Sequence, residues 1–306
     1  MMKRLIAGLL LSAAAASAAW VYAGKWGYYG TGNGQFDGPF GIDIAANGNV
    51  YVSEYTNNRV QYFTSSGSFL GKWGTTGTGN GQFNRPMWLS IAPNGNVYVV
   101  DGGNSRVQYF TPGGSYIGQW RSGLSGPRGI AAAANGSIYV VDQNNNRIQY
   151  FTSSGSLLGS WGSYGGGDGQ FNGPWDVGIA PNGNVFVTDG GTNRVQYFTP
   201  SGSFLGKWPF PSGDQMGIDI RPNADVYITD FAYQYVKYFT ATGSLLGSWG
   251  GQGSGNGQFF VLYDVAFNTD GSTIYVADYG NQRVQYFEDN TAVVPTSLGC
   301  VKALFR

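Results

Sequence analysis

The chain contains no histidine. That absence removes Ser-His-Asp and Cys-His nucleophile systems and every His-ligated metal centre from consideration. Cysteine is almost as scarce. Cys300 stands alone among 306 residues, so neither an intramolecular disulfide nor a CxxC-type metal site can form, and packing and hydrogen bonds must hold the fold. Charged residues make up only 11% of the chain, which leaves little surface for solvated helices. Beyond the N-terminal segment no apolar run is long enough to cross a bilayer.

The N-terminal segment reads MMKRLIAGLLLSAAAASAAW, with Lys3 and Arg4 ahead of an apolar run to about Leu11 and small residues suited to cleavage after Ala18 or Ala19. This predicts a secretory signal peptide over 1–19, because the apolar run is too short to serve as a membrane anchor. The expected location is secreted, periplasmic or cell-surface, with no transmembrane span after cleavage. Without Lys3 and Arg4, 15 basic residues face 17 acidic ones, a net charge of −2. Nothing in that balance attracts a polyanion, so nucleic acid is not an expected partner.

What the chain has in abundance is glycine, 51 residues, together with 9 Trp, 21 Tyr and 19 Phe. Residues 79–120 define a unit in which β-branched and aromatic segments at 87–91, 97–100, 107–110 and 116–120 predict four strands. Asn94-Gly95 supplies the positive φ of a tight turn between the first two, and Pro112-Gly113-Gly114 separates the last two. The Tyr-Phe pair that closes the third strand recurs at Tyr62, Tyr109, Tyr150, Tyr197, Tyr238 and Tyr286, at separations of 47, 41, 47, 41 and 48. An acidic residue ends each second strand in the same register, at Glu54, Asp101, Asp142, Asp189, Asp230 and Asp278. Six four-stranded units with a period in the forties predict an all-β, six-bladed propeller of antiparallel blades over 20–288. VYAGKWG at 21–27 is an orphan fourth strand, and the sixth copy lacks one. The N-terminal strand is therefore expected to close the last blade, since an open ring would leave a bare strand edge. In 289–306, Leu298, Val301, Leu304 and Phe305 are spaced for a short helix, or the tail is a sorting segment.

The segment GQFDGPFGIDIAANGNVYVSEYTNNRVQYFTSSGSFLGKWG at 34–74 resembles the NHL repeat. The resemblance implies a six-bladed propeller of the kind used in protein, RNA and carbohydrate binding and in a minority of enzymes. Six-bladed lyases and amidating enzymes similar to it use histidines, so their activity is not carried over to this chain. Two copies depart from the pattern, since WRSGLSGPRG at 120–129 and WPFPSGDQMG at 208–217 lack the GQF lead-in. The fifth copy also has Tyr235 where the others have Arg, and adds Phe231 and Tyr233.

Three constellations invite chemistry. Glu54/Arg59, Asp101/Arg106, Asp142/Arg147, Asp189/Arg194 and Asp278/Arg283 recur once per blade, as a structural staple does and an asymmetric catalytic site does not. The glycine-rich GTGNGQF at 77–83 and its relatives lead into strands rather than helices; they read as blade crossovers with a buried Phe, not phosphate cradles. The third constellation varies from blade to blade. Around the tunnel mouth stand Phe40, Met87, Arg128, Trp175, Met216 and Tyr263, followed one position on by Trp88, Asp176 and Asp264 in alternate blades. With Phe231, Tyr233 and Tyr235 these are the candidate ligand-binding residues, an aromatic face suited to a sugar or extended peptide. The competing reading is that Trp88 and Trp175 fill space between blades. Asp43, Asp176, Asp219 and Asp264 are candidate ligands for Ca²⁺, as in the lactonases that share a six-bladed plan; no other cofactor is expected. The sequence reading is thus an exported, non-catalytic propeller that meets a protein or glycan partner through its top face. Its alternatives are a metal-assisted hydrolase using the tunnel carboxylates, or a structural envelope protein.

Overall fold

A computed structural model describes residues 20–210 and 215–290. The predicted signal peptide and the tail beyond residue 290, Cys300 included, lie outside the described residues. Six four-stranded antiparallel sheets stand around a central tunnel. Blade two runs Pro86–Ile91, Val97–Asp101, Arg106–Phe110 and Tyr116–Trp120, within about one residue per strand of the sequence reading. First strands, such as Pro39–Ile44 and Pro174–Ile179, line the tunnel, and fourth strands, such as Phe69–Trp73, form the rim. Second strands are buried throughout, except for the half-buried Thr273 that begins the one in blade six, whereas the fourth strand Phe69–Trp73 alternates half-buried and exposed residues. The pattern follows from position, because an inner strand has a blade on each side and the outer one meets solvent.

Within each blade a tyrosine or phenylalanine of the second strand stacks on the tyrosine of the third. Tyr51 lies on Tyr62 at 5.2 Å and Tyr98 on Tyr109 at 5.3 Å, both nearly parallel. The third-strand ring in turn covers a glycine of the fourth strand. A Cβ on Gly71 or Gly118 would stand 2.5–2.6 Å from that ring, so no other residue fits there. Between blades the fourth-strand tryptophan packs on the third-strand phenylalanine of the next, as in Trp73–Phe110 at 5.5 Å and Trp120–Phe151 at 5.4 Å. The lead-in phenylalanine packs against the same ring, with Phe83–Phe110 at 5.6 Å. Phe210 takes that place before blade five at 5.8 Å from Phe239, where the sequence has no GQF.

The ring closes through Trp20–Trp26, which pairs antiparallel with Arg283–Asp289. The last strand thus runs to Asp289, where the sequence suggested a tail. Trp26 supplies the closing contact on Phe63 of blade one at 5.6 Å. Trp20 is held by Tyr227, whose hydroxyl accepts from Nε1 at 3.3 Å, and by Arg221 over its ring at 5.1 Å. Arg221 also pairs with Asp289. Deleting 20–26 is expected to cost about 5 kcal/mol through lost aromatic burial and to expose the Arg283–Asp289 edge to other chains. Urea unfolding with size-exclusion chromatography checks this; an unchanged midpoint in a monomeric protein would refute it.

The acidic–arginine pairs are buried staples. Arg106 donates to Asp101 at 2.7 Å and to the carbonyls of Thr78, Gly79 and Gln82 at 2.8 Å each. The glycine-rich crossover therefore presents carbonyls to a cation, the opposite polarity to a phosphate cradle. Where the lead-in is short the staple weakens: Arg147 keeps Asp142 at 2.7 Å but otherwise reaches only Gly123 O at 3.3 Å. In blade five Lys237, two residues beyond Tyr235, brings the cation to Asp230 at 2.6 Å. Arg106→Ala is expected to destabilise by about 3 kcal/mol, since it strands Asp101 in the interior. Arg147→Ala, with 32% of its side chain exposed, should cost about 1 kcal/mol. Thermal unfolding of the two variants should give unequal shifts.

Candidate functional site

The innermost strand of a propeller blade has no partner on its tunnel side, so its outward N–H groups need acceptors. Aspartates supply them. Asp264 Oδ1 accepts from Val265 N and Oδ2 from Ile42 N of the next blade, both at 2.9 Å. Asp176 bridges Val177 N and Ile218 N at 2.8 and 2.9 Å in the same way. Asp43 bridges Ile44 and Ile91, and Asp219 bridges Ile220 and Phe267, at 2.7–2.9 Å. Ser90 performs a shorter version, accepting from Ala132 N at 3.1 Å. The level of Asp176 and Asp264 reads Gly41, Trp88, Gly129, Asp176, Gly217, Asp264 around the ring, and a Cβ on Gly129 would stand 2.1 Å from Asp176 Oδ1. Each odd blade is hollowed for the even one that follows. The corresponding positions lie 88 residues apart, so the propeller is three copies of a double blade.

The four aspartates line a cavity of about 200 Å³ with Trp88, Ser90 and Ala131. A second cavity of about 510 Å³ shares Ala132 and Ile179 with it and continues among the turns at the opposite end, past Asn135 and Asn182. Burial is the first cause that raises all four carboxyls: Asp43 to about 6, Asp219 to about 7, Asp176 and Asp264 well above the ordinary range. The charges of neighbouring aspartates add to this for Asp219, Asp176 and Asp264. The proposed Ca²⁺ set is not assembled. Among the described residues no three acidic side chains converge on a metal-sized site, because these carboxylates are spread around the ring as straps, each oxygen already holding a backbone N–H.

Above the cavity lies the mouth. Second-strand hydroxyls set its level: Thr188 accepts from Asp176 N at 3.0 Å and donates to Met216 O at 3.1 Å, and Thr229 joins Gly217 N to Tyr263 O at 2.8 and 2.9 Å. Phe40 stacks on Tyr263 at 4.2 Å and meets Trp88 edge-on at 4.7 Å. Phe40, Trp88 and Met216 are 3%, 2% and 7% exposed, so these three candidates are corrected from ligand platform to roof over the tunnel. Asp176 and Asp264, at 2% and 3%, lie beneath that roof rather than at the surface. Met87, Arg128, Trp175, Phe231 and Tyr263 are half-buried and do line the mouth. Tyr233 and Tyr235 are exposed; Tyr233 faces Lys237 at 5.7 Å and stands apart from the ring cluster.

Sequence reasoning missed Tyr55 and Tyr279. Tyr55 lies 5.7 Å from Phe40 and Tyr279 meets Tyr263 edge-on at 5.0 Å. Both directly follow the acidic residue of the second strand, a position that reads Tyr55, Gly102, Gln143, Gly190, Phe231, Tyr279 around the ring. The two variable positions are matched in size. A Cβ on Gly102 would meet Met87 at 2.9 Å and one on Gly190 would meet Trp175 at 2.6 Å, while Gln143 accepts from Arg128 Nε at 2.8 Å. That reciprocal pattern was the available signal.

The raised carboxyls give stability a pH dependence. The folded protein retains protons that the unfolded chain releases above its ordinary aspartate range, so the contribution of these groups to stability is fully present below about pH 4 and is lost as pH rises through about 6 and 7. Glu54, Asp189 and Asp278, also raised by burial, act in the same direction. The exposed Asp270, held low by Ser272, opposes them only at the acid extreme. The thermal midpoint is expected to fall between pH 5 and pH 8, with a shallower slope in Asp219→Asn; a midpoint rising over that range would contradict the assignment.

Residues 124–151 and 171–198 match the family model of the NHL repeat. Among curated proteins, none matches the chain in sequence. Solved structures do resemble it. Virginiamycin B lyase from Staphylococcus aureus is 18% identical, with 82% of this chain and 94% of that one covered at a TM-score of 0.61. A gluconolactonase from Xanthomonas campestris is 12% identical over 89% and 98%, at 0.65. A chain of a nidogen/laminin complex is 15% identical over 74% and 84%, at 0.59. Such identities carry the fold alone. They also overturn the expectation of a non-catalytic protein, because two of these neighbours are enzymes on the same propeller, and the lack of histidine excludes only routes that require one. The chain is an all-β, six-bladed propeller in which residues 124–151 and 171–198 match the NHL repeat.

Proposed function

We propose that this protein is exported and binds a partner of the cell envelope or extracellular space, a glycan or a protein surface, through the mouth of its tunnel. One observation carries the reading. Packing demands are nearly the same in every blade, and the staples and interblade rings recur accordingly, whereas the half-buried mouth residues Met87, Arg128, Trp175, Phe231 and Tyr263 are all different. A ligand contacts a ring unequally and accounts for such singular residues. Glycans are favoured over proteins, because ring faces such as Trp175 and Tyr263 beside hydroxyl and guanidinium donors suit a pyranose, which has an apolar face and polar edges. The export half of the proposal rests on the N-terminal segment alone.

The test uses mature protein recovered from the extracellular or envelope fraction, with its N-terminus expected at Ala19 or Trp20. It is applied to glycan and envelope-protein arrays, and each bound compound is followed for turnover by mass spectrometry, since enzymes share the fold. Trp175→Ala and Tyr263→Ala should each weaken binding by about 2 kcal/mol or more, as the loss of an aromatic anchor does. Binding left intact in both variants, with unchanged thermal midpoints, would remove the mouth from the reading.

A further inference from the structure

We infer that the ligand of the mouth is an acidic saccharide, whose uronate carboxylate is received by Arg128 while its ring lies against Trp175 and Tyr263. The inference rests on the binding role proposed for the mouth and names the class of its ligand. Arg59, Arg106, Arg147, Arg194 and Arg283 each pair with the acidic residue of their own blade, and Arg221 pairs with Asp289. Arg85 and Arg121, both exposed, make no ion pair, and of the arginines withdrawn from solvent among the described residues only Arg128 lacks one. Half-buried at the first-strand level, it donates Nε to Gln143 at 2.8 Å and lies 4.3 Å over the Trp175 ring. Among the described residues it has no carboxylate partner. Burial pushes its guanidinium down, and the phenols of Tyr55 and Tyr263 feel its charge from blades one and six. A desolvated cation without a counter-charge is costly to hold, and here it stands where a ligand would enter.

Its Nη1 and Nη2 groups are left to form the parallel fork that matches a carboxylate. Arg128 covers one face of Trp175 and Phe40 one face of Tyr263; the opposite faces would take the apolar side of a pyranose, and the hydroxyls of Tyr55, Tyr263 and Tyr279 would serve its edge. Arg85, exposed on the rim over the Tyr55 ring at 5.7 Å, adds a second positive charge at the same end. A peptide with a terminal carboxylate has the same charge, but extended peptides are usually captured along an open strand edge or in a backbone nest. The tunnel-side strand edges here are already capped by Asp43, Ser90, Asp176, Asp219 and Asp264. That leaves ring faces and a guanidinium fork as the recognition chemistry, and these fit a uronate.

Calorimetric titration of the full mature protein with trigalacturonate, its methyl ester, neutral galactotriose, and one peptide with a free or an amidated C-terminus separates the possibilities. Trigalacturonate should bind about 10- to 100-fold more tightly than its ester or the neutral trimer, the range that a charge-assisted hydrogen-bond pair commands. Arg128→Gln should abolish that preference at an unchanged thermal midpoint, and Arg128→Lys should retain only part of it. The ester arm tests the charge on the unaltered protein, so the result survives a variant that folds poorly. Equal binding of acid, ester and neutral trimer would overturn the inference while leaving the mouth as a glycan site. Binding of the free-carboxylate peptide alone would replace the saccharide with a polypeptide. Failure of all five ligands would overturn the inference and count against the binding role itself.

Discussion

The fold depends on one contact made repeatedly: the fourth-strand tryptophan of each blade against the third-strand phenylalanine of the next. It runs from Trp26–Phe63 through Trp249–Phe287, at 5.4–6.4 Å. No blade can bury both of its faces alone, so each contact stabilises two blades at once and the sixth is of use only if the ring closes. Trp26 belongs to the first strand of the chain and packs on blade one while pairing with the last strand. The N- and C-terminal ends of the propeller are thereby joined, and the stability of the whole passes through a seven-residue strand.

A closed ring creates a second constraint at its centre. Six inner strand edges converge on the tunnel, and their N–H groups must be satisfied in a space too narrow for another strand. Aspartate is short enough to take one N–H from its own strand and one from the next blade. Burial at that depth raises all four carboxyls, and the two backbone N–H groups that each accepts offset part of the cost. The glycines opposite, Gly129 and Gly217, leave room for Asp176 and Asp264 of the blades that follow and show that adjacent blades are shaped for each other. Outside these demands two variable positions stand out in each blade, the start of the first strand and the residue after the second-strand acid. Both open on the mouth, where a rigid scaffold can hold unlike side chains at fixed positions.

Much of this architecture was legible in the residues. Blade number, strand boundaries, staples and closure all repeat six times or are conspicuous by failing to, and each concerns neighbours within one blade or the next. The mouth was less legible. Met87, Arg128, Trp175, Phe231 and Tyr263 were found because they break the repeat, but Tyr55 and Tyr279 were overlooked beside a conspicuous acidic residue. Phe40, Trp88 and Met216 break the repeat as well, yet their side chains are buried over the tunnel. Blade five shows the reverse case. Tyr235 reads as a lost staple, and only the side-chain positions reveal that Lys237 restores it.

The sequence by itself determined the propeller, its six blades, the interblade tryptophans and the N-terminal closing strand, because those features rest on strand periodicity, turn residues and contacts between adjacent repeats. The tertiary structure alone decided which singular residues face a ligand. Trp88 and Trp175 are alike in type and near each other in level, yet one lies under Phe40 and the other carries Arg128 at the mouth. Their fates diverge because burial in the tunnel is set by rings arriving from other blades, Phe40 from the first and Tyr263 from the sixth, which meet only when the ring is shut.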